Sequence, residues 1–348
     1  MAEARQHRRI TITDIARMAQ TSKTTVSFFL NGKTERMSEA TKERIREVIK
    51  KTGYAPSPVA RGMNAKHSHL IGVIIGDITN SFANRLVQGV AEAAERRDYS
   101  LLVCSSNFNR HAELNYIDRL LAVGVDGFIV QPTAQSMEVT KAIEQAGKSL
   151  VFLDSNLYGA NSYWVKTDNY NSSYRAVCSC IEAGYEKFAI ICATPGLITS
   201  RIERFGGFME AVQESGKEFE QFEFNGDQVD QEAVGDFLHK VIDGKTPTLI
   251  FVPNCWALPD IYTAMSPYYK LMPNTVGLLG FDNTEWIKLA SPSVSVVIQP
   301  AHEEGRIACD LLVDSIEHCD IKEAHQILQC DTWWGDSTKY VDPSLVSL

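Results

Sequence analysis

From Leu70 to Asp282 the sequence alternates short apolar, β-rich runs with amphipathic stretches: LIGVIIGDI, NRLVQGVAEAAERR, YSLLVCSSN, AELNYIDRLLAVG and VDGFIVQPT come first. Strand runs that are apolar at nearly every position must be covered on both faces, which is the mark of a parallel sheet wrapped by helices. The alternation restarts after Asp168 with NSSYRAVCSCIEAG, FAIICATP, RFGGFMEAVQESG, PTLIFVPNC and VGLLGFD. The pattern therefore predicts two tandem doubly wound parallel-sheet lobes of similar size. A cleft between the C-terminal ends of their strands is where a ligand would collect.

Residues 1–55 obey a different periodicity. Thr13 is placed to cap a helix through Ala19, a break follows at 20–22, a second helix runs from Lys23 to Leu30, and Ser38 caps a third through Lys51. Two short helices joined by a tight turn, with a third behind, describe an all-α helix-turn-helix head. In the second helix, KTTVSFFL, Val26, Phe29 and Leu30 fall on one face and form the packing stripe. Phe28 lies about 200° away from Val26, beside Thr24 and Asn31, and is predicted to be exposed. It either covers an edge of the small domain or meets a neighbour, or it enters the major groove, where an aromatic ring contacts a thymine methyl.

The charge distribution is uneven in the same sense. Of 34 Lys plus Arg and 43 Asp plus Glu, 14 and 6 fall in residues 1–70, leaving 20 and 37 for the remainder. A basic head on an acidic body is a nucleic-acid footprint, although a solvated basic face gives the same count. Catalytic classes find little support: no GxGxxG or phosphate loop follows a strand, and no GxSxG elbow is present. The eight cysteines form no CxxC pair and read as small buried thiols, and the eight histidines show no HxxxH spacing, so neither a metal site nor a cofactor is assigned. No apolar run approaches the roughly 18 to 20 residues of a membrane span, and the start, MAEARQHRR, lacks a secretory core; a cytoplasmic protein without membrane partners is expected.

Several segments in order carry a family likeness: TITDIARMAQTSKTTVSFFLNG, MSEATKERIREVIKKTGYAPSPVARGM, HLIGVIIGDITNSF, VDGFIVQP, VKTDNYNSSYRAV, SRIERFGGFMEAV, GFDN and VIQPAHEEGRIACDLL. Together they resemble the lactose-repressor (LacI/GalR) family of bacterial transcription regulators, and GFDNTEW followed by QPAHEEG is similar to its ketodeoxygluconate and uronate branch. The resemblance implies a DNA-binding head (1–55), a hinge (56–69) and a periplasmic-binding-protein-like core. The core lobes are expected at 70–165, with a return segment near 296–325, and at 166–295, with 326–340. A homodimer on a near-palindromic operator, controlled by a sugar or sugar-acid effector, follows from the same likeness. The end, TKYVDPSLVSL, lacks the leucine heptads of a tetramerising coiled coil, which favours a dimer.

By position, the resemblance puts Lys23, Thr24 and Phe28 where bases are contacted and Thr13, Thr25, Ser27 and Asn31 where the DNA backbone is. The family usually has a basic or polar residue in place of Phe28 and a glycine in place of Gln20. In the hinge, Ser57 and Pro58 are suited to begin a short helix, but about seven residues are too few to hold one alone. The family's minor-groove leucine corresponds to Met63, a side chain also used as such a wedge, and Arg61 and Lys66 would neutralise phosphate. An ordinary flexible linker is the alternative.

For the effector pocket the resemblance indicates Phe82, Arg204 and Asp282, with Asp77, Asn80, Ser200 and Asn254 in support. An aromatic packs on a sugar ring, a carboxylate accepts from hydroxyls, and Arg204 can fork onto a hydroxyl pair or a carboxylate. The chain departs from the family at Ser81–Phe82–Ala83, where two aromatics are common, and at NCWALPD, where Pro259 delays the next helix. Trp256 is available there either as a replacement pocket wall or as core. A sugar-binding transport component shares the core architecture, but it would need an export signal and has no use for a basic three-helix head.

Overall fold

The computed structural model describes residues 10–30, 32–54, 67–132, 137–157, 162–196, 198–224, 228–282 and 285–339. The chain divides into two compact units, Met1–Ser68 and His69–Leu348.

In the N-terminal unit, helices α1 (Ile12–Met18), α2 (Lys23–Leu30) and α3 (Glu39–Thr52) enclose Ile15, Ala16, Ala19, Val26 and Ile45, with Phe29 and Leu30 packed against them. The first cap differs from the sequence expectation. Thr11, not Thr13, caps α1: its hydroxyl accepts from the Asp14 amide at 3.3 Å, while the Asp14 carboxylate accepts from the Thr11 amide at 3.0 Å. This reciprocal capping box needs an acidic or amide side chain three residues on, which Thr11 has in Asp14 and Thr13 lacks. At the turn into α2, Gln20 takes φ 49°, the left-handed conformation that glycine adopts without strain. Ser38 caps α3 as expected, and Gly53 ends it with φ 62°.

The second unit contains two α/β lobes. Its elements in chain order begin with β1 (Leu70–Ile75), α4 (Ser81–Arg96), β2 (Ser100–Ser105), α5 (Arg110–Val123), β3 (Gly127–Val130), α6 (Met137–Gln145), β4 (Ser149–Leu153) and β5 (Tyr163–Thr167). The chain then crosses to α7 (Asn169–Glu182), β6 (Lys187–Ala193), α8 (Thr199–Glu214), β7 (Phe219–Phe224), α9 (Gln231–Val241), β8 (Thr248–Val252), α10 (Leu258–Ala264), a 3-10 turn (Ser266–Leu271), β9 (Val276–Phe281) and β10 (Ser295–Ile298). It returns in α11 (Ala301–Ile316) and β11 (His325–Leu328) and crosses once more to β12 (Asp331–Trp333).

Among the described residues the first sheet has the order β11-β5-β4-β3-β1-β2 and the second β12-β10-β9-β8-β6-β7. All pairings are parallel except β10 with β12. The central strands β1, β3, β8 and β9 are buried almost throughout, as their unbroken apolar runs require.

The sequence division near 296 and 326 shifts by a few residues. Val296–Ile298 belong to the second sheet, and β11 belongs to the first, pairing with β5. The chain turns back only at Gln299 and Pro300, and Pro300 occupies the N-cap position of α11. The return helix packs across the first lobe: Ala301, Ala308, Leu311, Leu312 and Ile316 join the core built on α4, β1 and β4. Close contact of α11 with α4 is possible because both carry glycine there; a Cβ on Gly89 would lie 1.9 Å from the His302 carbonyl oxygen, and one on Gly305 2.0 Å from that of Leu86.

Candidate DNA-binding face and effector cleft

On the N-terminal unit, Lys23, Thr24 and Phe28 are exposed on α2, with Phe28 showing 49% of its surface. Thr24 and Phe28 are one helical turn apart and share a face. Thr25 and Ser27 are half-buried at its flanks, and the Thr25 hydroxyl lies 2.8 Å from that of Ser22, whose Oγ also accepts from the Thr25 amide. Thr13 is exposed on α1. Asn31, Arg61, Met63 and the hinge expectation around Ser57 and Pro58 lie outside the described residues.

In the two-lobed unit, a cleft lies where the strands of both sheets end. Asn80, Phe82, Ser200, Arg204, Asn254 and Trp256 all line it. Asn80 caps α4, its Oδ1 accepting from the Phe82 amide at 2.9 Å, and this fixes Phe82 at the start of the helix. From the opposite lobe, Asn254 follows β8 and accepts from the Ala193 amide at 2.8 Å. The two sides touch where Asn80 Nδ2 donates to Cys255 Sγ at 3.4 Å; burial pushes that thiol up to about 11. Pro259 falls in the first turn of α10, so the preceding residues stay irregular and Trp256 turns to the cleft. Its ring also meets Phe224 edge-on at 5.2 Å, so Trp256 serves both as wall and as packing.

Arg204 is held in place by protein acceptors. Its Nε donates to Asn169 Oδ1 at 2.8 Å, Nη1 to the Pro253 carbonyl at 2.9 Å and Nη2 to Gln299 Oε1 at 3.1 Å. The guanidinium carbon lies 3.9 Å from the centre of the Phe281 ring, a cation–π contact in a buried setting. Three of the five N–H groups are thereby committed, leaving less of the fork for a ligand than the sequence suggests.

Two expected residues do not line the cleft. The Asp77 carboxylate closes the turn before α4, accepting from the Thr79 amide at 2.8 Å and hydroxyl at 2.7 Å. Asp282, fully buried after β9 with φ 60°, pairs with Arg85 of the other lobe instead of facing the cleft. An Asp behind a fully buried strand end meets the cation that packs over it before it meets a ligand.

Sequence reasoning missed Phe108, Gln131, Asp154, Ser155, Arg201, Cys255 and Gln299 in the lining. Gln131 follows β3 and Asp154 follows β4, the positions where parallel sheets present ligand groups, so strand ends were the available signal. Gln131 accepts from the Gly76 amide and donates to Asp154 Oδ2, each at 2.9 Å. Asp154 in turn stands 3.9 Å from Arg204, and its amide donates to the buried Glu304 of α11 at 2.5 Å. Burial and the neighbouring Asp154 carboxylate hold the Glu304 carboxyl well above the usual carboxylate range. Phe108 fills the space left by Gly76, where a Cβ would approach its ring to 2.2 Å.

Family comparison agrees with this layout. The model for bacterial regulatory proteins of the lacI family matches residues 11–57, and that for periplasmic binding proteins and the sugar-binding domain of the LacI family matches residues 68–255, more than half of the chain. A periplasmic binding protein-like domain matches 177–338. The chain belongs to the LacI family. This LacI-family member is a DNA-binding transcriptional regulator, not an enzyme. It is 29% identical over 310 residues to the HTH-type transcriptional regulator KdgR of Bacillus subtilis, covering 88% of this chain and 91% of that protein. The lac repressor dimer bound to operator and the anti-inducer ONPF shares the fold, with a TM-score of 0.80, 18% identity and coverage of 95% of this chain and 99% of that one. A LacI family regulator from Enterococcus faecium with bound ribose aligns at a TM-score of 0.67 and 21% identity, covering 78% of this chain and 100% of that one. No helix among the described residues is long and apolar enough to cross a membrane.

Proposed function

We propose that this regulator acts in the cytoplasm as a homodimer, gripping a near-palindromic operator through α2 and the hinge and releasing or tightening its hold when a sugar or sugar acid fills the cleft. The observation that carries the effector half is the convergence of Asn80, Phe82, Ser200, Arg204, Asn254 and Trp256, drawn from both lobes, on one cleft. Amides and hydroxyls around a partly aromatic lining are suited to a small polyhydroxylated ligand, whose ring faces pack on aromatics while its hydroxyls exchange hydrogen bonds. Likeness to KdgR supports the sugar-acid branch, and ribose in a relative of the same fold supports the wider sugar class.

The lining spans both lobes, so a ligand that bonds to both favours one relative lobe orientation. A coupling of about 1 to 3 kcal/mol between that orientation and the operator-binding form changes operator affinity some 5-fold to 150-fold, and reciprocally changes effector affinity. On the head, exposed Lys23, Thr24 and Phe28 are the proposed base-reading residues, with Thr13, Thr25, Ser27 and Asn31 on phosphate. Arg61 and Met63 are proposed to act in the minor groove.

The test combines a thermal-shift screen of sugars, sugar acids and sugar phosphates with fluorescence anisotropy on selected palindromic duplexes. The expected result is salt-sensitive operator binding whose midpoint shifts with a ligand that also raises the melting temperature. Absence of any preferred duplex would refute the DNA half. A nucleobase as sole stabilising ligand would refute the sugar or sugar-acid half.

A further inference from the structure

The amide side chains that the first lobe brings to the cleft are committed within the protein. Asn80 accepts from the Phe82 amide and donates to Cys255, and Gln131 accepts from the Gly76 amide and donates to Asp154. Open hydrogen-bonding groups come from the second lobe. Ser200 and Asn254 each show 6% of their surface, and the Ser200 hydroxyl and Asn254 Nδ2 have no partner among the described residues. Buried polar groups in a cleft wall are the ones a ligand's hydroxyls can complete.

The first lobe offers an aromatic face instead. Phe82, 4% exposed, is drawn into the core of that lobe, whereas Phe108 shows 40% of its surface and lines the cleft. The backbone there is held where a bulky side chain rarely goes: Asn107 and Phe108 are consecutive left-handed residues, with φ 49° and 54°. Such a conformation persists only where the surroundings impose it. The Ser106 amide donates to the Ile75 carbonyl at 2.9 Å and the Asn107 amide to that of Gly76 at 2.6 Å, while Asn109 caps α5 on the far side of the loop. The loop is therefore pinned to the end of β1, and Phe108 is set in the cleft wall against Gly76.

An apolar face on one lobe and hydrogen-bonding groups on the other match the two-sided character of a closed sugar ring, whose C–H face packs on an aromatic while its hydroxyls exchange hydrogen bonds. An open-chain polyol has no such face and loses more internal freedom on binding.

We infer that Phe108 is the platform for the ring of the effector, and that the effector is recognised in its cyclic form with Ser200 and Asn254 on its hydroxyls. This rests on the reading of the cleft as the effector site.

Titration calorimetry on the full-length protein tests this with ring-forming and open-chain members of matched pairs: D-galactose against galactitol, D-galacturonate against L-galactonate, D-glucuronate against L-gulonate, and 2-keto-3-deoxygluconate against its C2-reduced form. One ring-forming member is expected to bind at least about tenfold more tightly than its open-chain partner, the scale of one aromatic contact together with the ordering it avoids. Phe108→Leu, which keeps bulk over Gly76 and removes the aromatic face, should lower that ratio about tenfold, while Phe108→Tyr retains it. In the parent protein, saturation-transfer NMR should mark the C–H protons of one ring face above those of the other, a reading that needs no variant.

Equal affinity within every pair, with sugars binding, overturns the cyclic-form inference and leaves the cleft reading standing. A ratio that survives Phe108→Leu, or an equal weakening of both members, overturns the role of Phe108. Sedimentation of that variant as a monomer with its ratio intact would assign the exposed ring to a second copy of the chain instead. Failure of every sugar and every open-chain partner to bind overturns the cleft reading and this inference with it.

Discussion

Arg85 of α4 crosses from the first lobe to the carboxylate of Asp282, which follows β9 of the second and has no exposed surface. The same guanidinium reaches the Gln299 carbonyl at 3.5 Å, next to the point where the chain itself passes between lobes. The pair thus ties the two lobes beside their covalent connection and at the edge of the cleft.

Replacing Arg85 by methionine removes the counter-cation of a buried carboxylate. Breaking a buried pair from one side costs about 3 to 5 kcal/mol, and since Arg85 is one quarter exposed the lower part of that range is expected. Replacing Asp282 by asparagine as well should recover part of the loss. Thermal melts of both single variants and the double variant check this; additive losses would show that the two groups act independently.

Glu304 gives the stability a pH dependence. Its native carboxyl titrates above the range of an unfolded glutamate, about 4.3, so the native state binds more protons than the unfolded one between those two values. Stability from this group therefore falls as pH rises through that interval. Asp154 and Asp282 reinforce the effect and Arg204 opposes it. Glu304→Gln, which keeps the shape without the charge, should raise stability at pH 8 by about 1 kcal/mol or more, the value of one pH unit of displacement. Melting temperatures from pH 5 to pH 8 are expected to decline less steeply in the variant; parallel curves would argue against a titrating Glu304.

Phe28 is half-exposed on α2, a turn away from Thr24. Arginine there can donate two hydrogen bonds to guanine, whereas phenylalanine offers apolar contact to a thymine methyl. Operator selection from a randomised duplex pool should move from thymine to guanine at one position per half-site with Phe28→Arg, by about 1 to 3 kcal/mol of preference. An unchanged consensus would assign Phe28 to packing.

Much of this architecture is written locally. Val26 packs and Phe28 projects because about 100° separates successive residues of a helix, and the β1, β3, β8 and β9 runs declare burial on both faces. Small displacements arose where a neighbour decides: Asp14 makes Thr11 the cap, and edge strand β11 follows its partner β5. What could not be read was the meeting of distant residues. Arg85 and Asp282 are 197 positions apart, and Asp154 meets Glu304 across 150. Arg201 carries no motif of its own; its place in the lining depends on how α8 starts against the opposite lobe.

The three passages of the chain between lobes leave neither lobe as an uninterrupted piece of sequence. The first lobe acquires α11 and its edge strand β11 from residues that a ribosome makes late, after most of the second lobe. Domains usually complete themselves in order of synthesis. Here, with Ala308, Leu311 and Leu312 needed to close the core over α4 and β4, the lobe begun first must wait with an open flank until nearly the whole polypeptide has emerged. Truncating the gene shortly before codon 301 would therefore expose apolar surface on the first lobe as well as strip the edge strand β12 from the second.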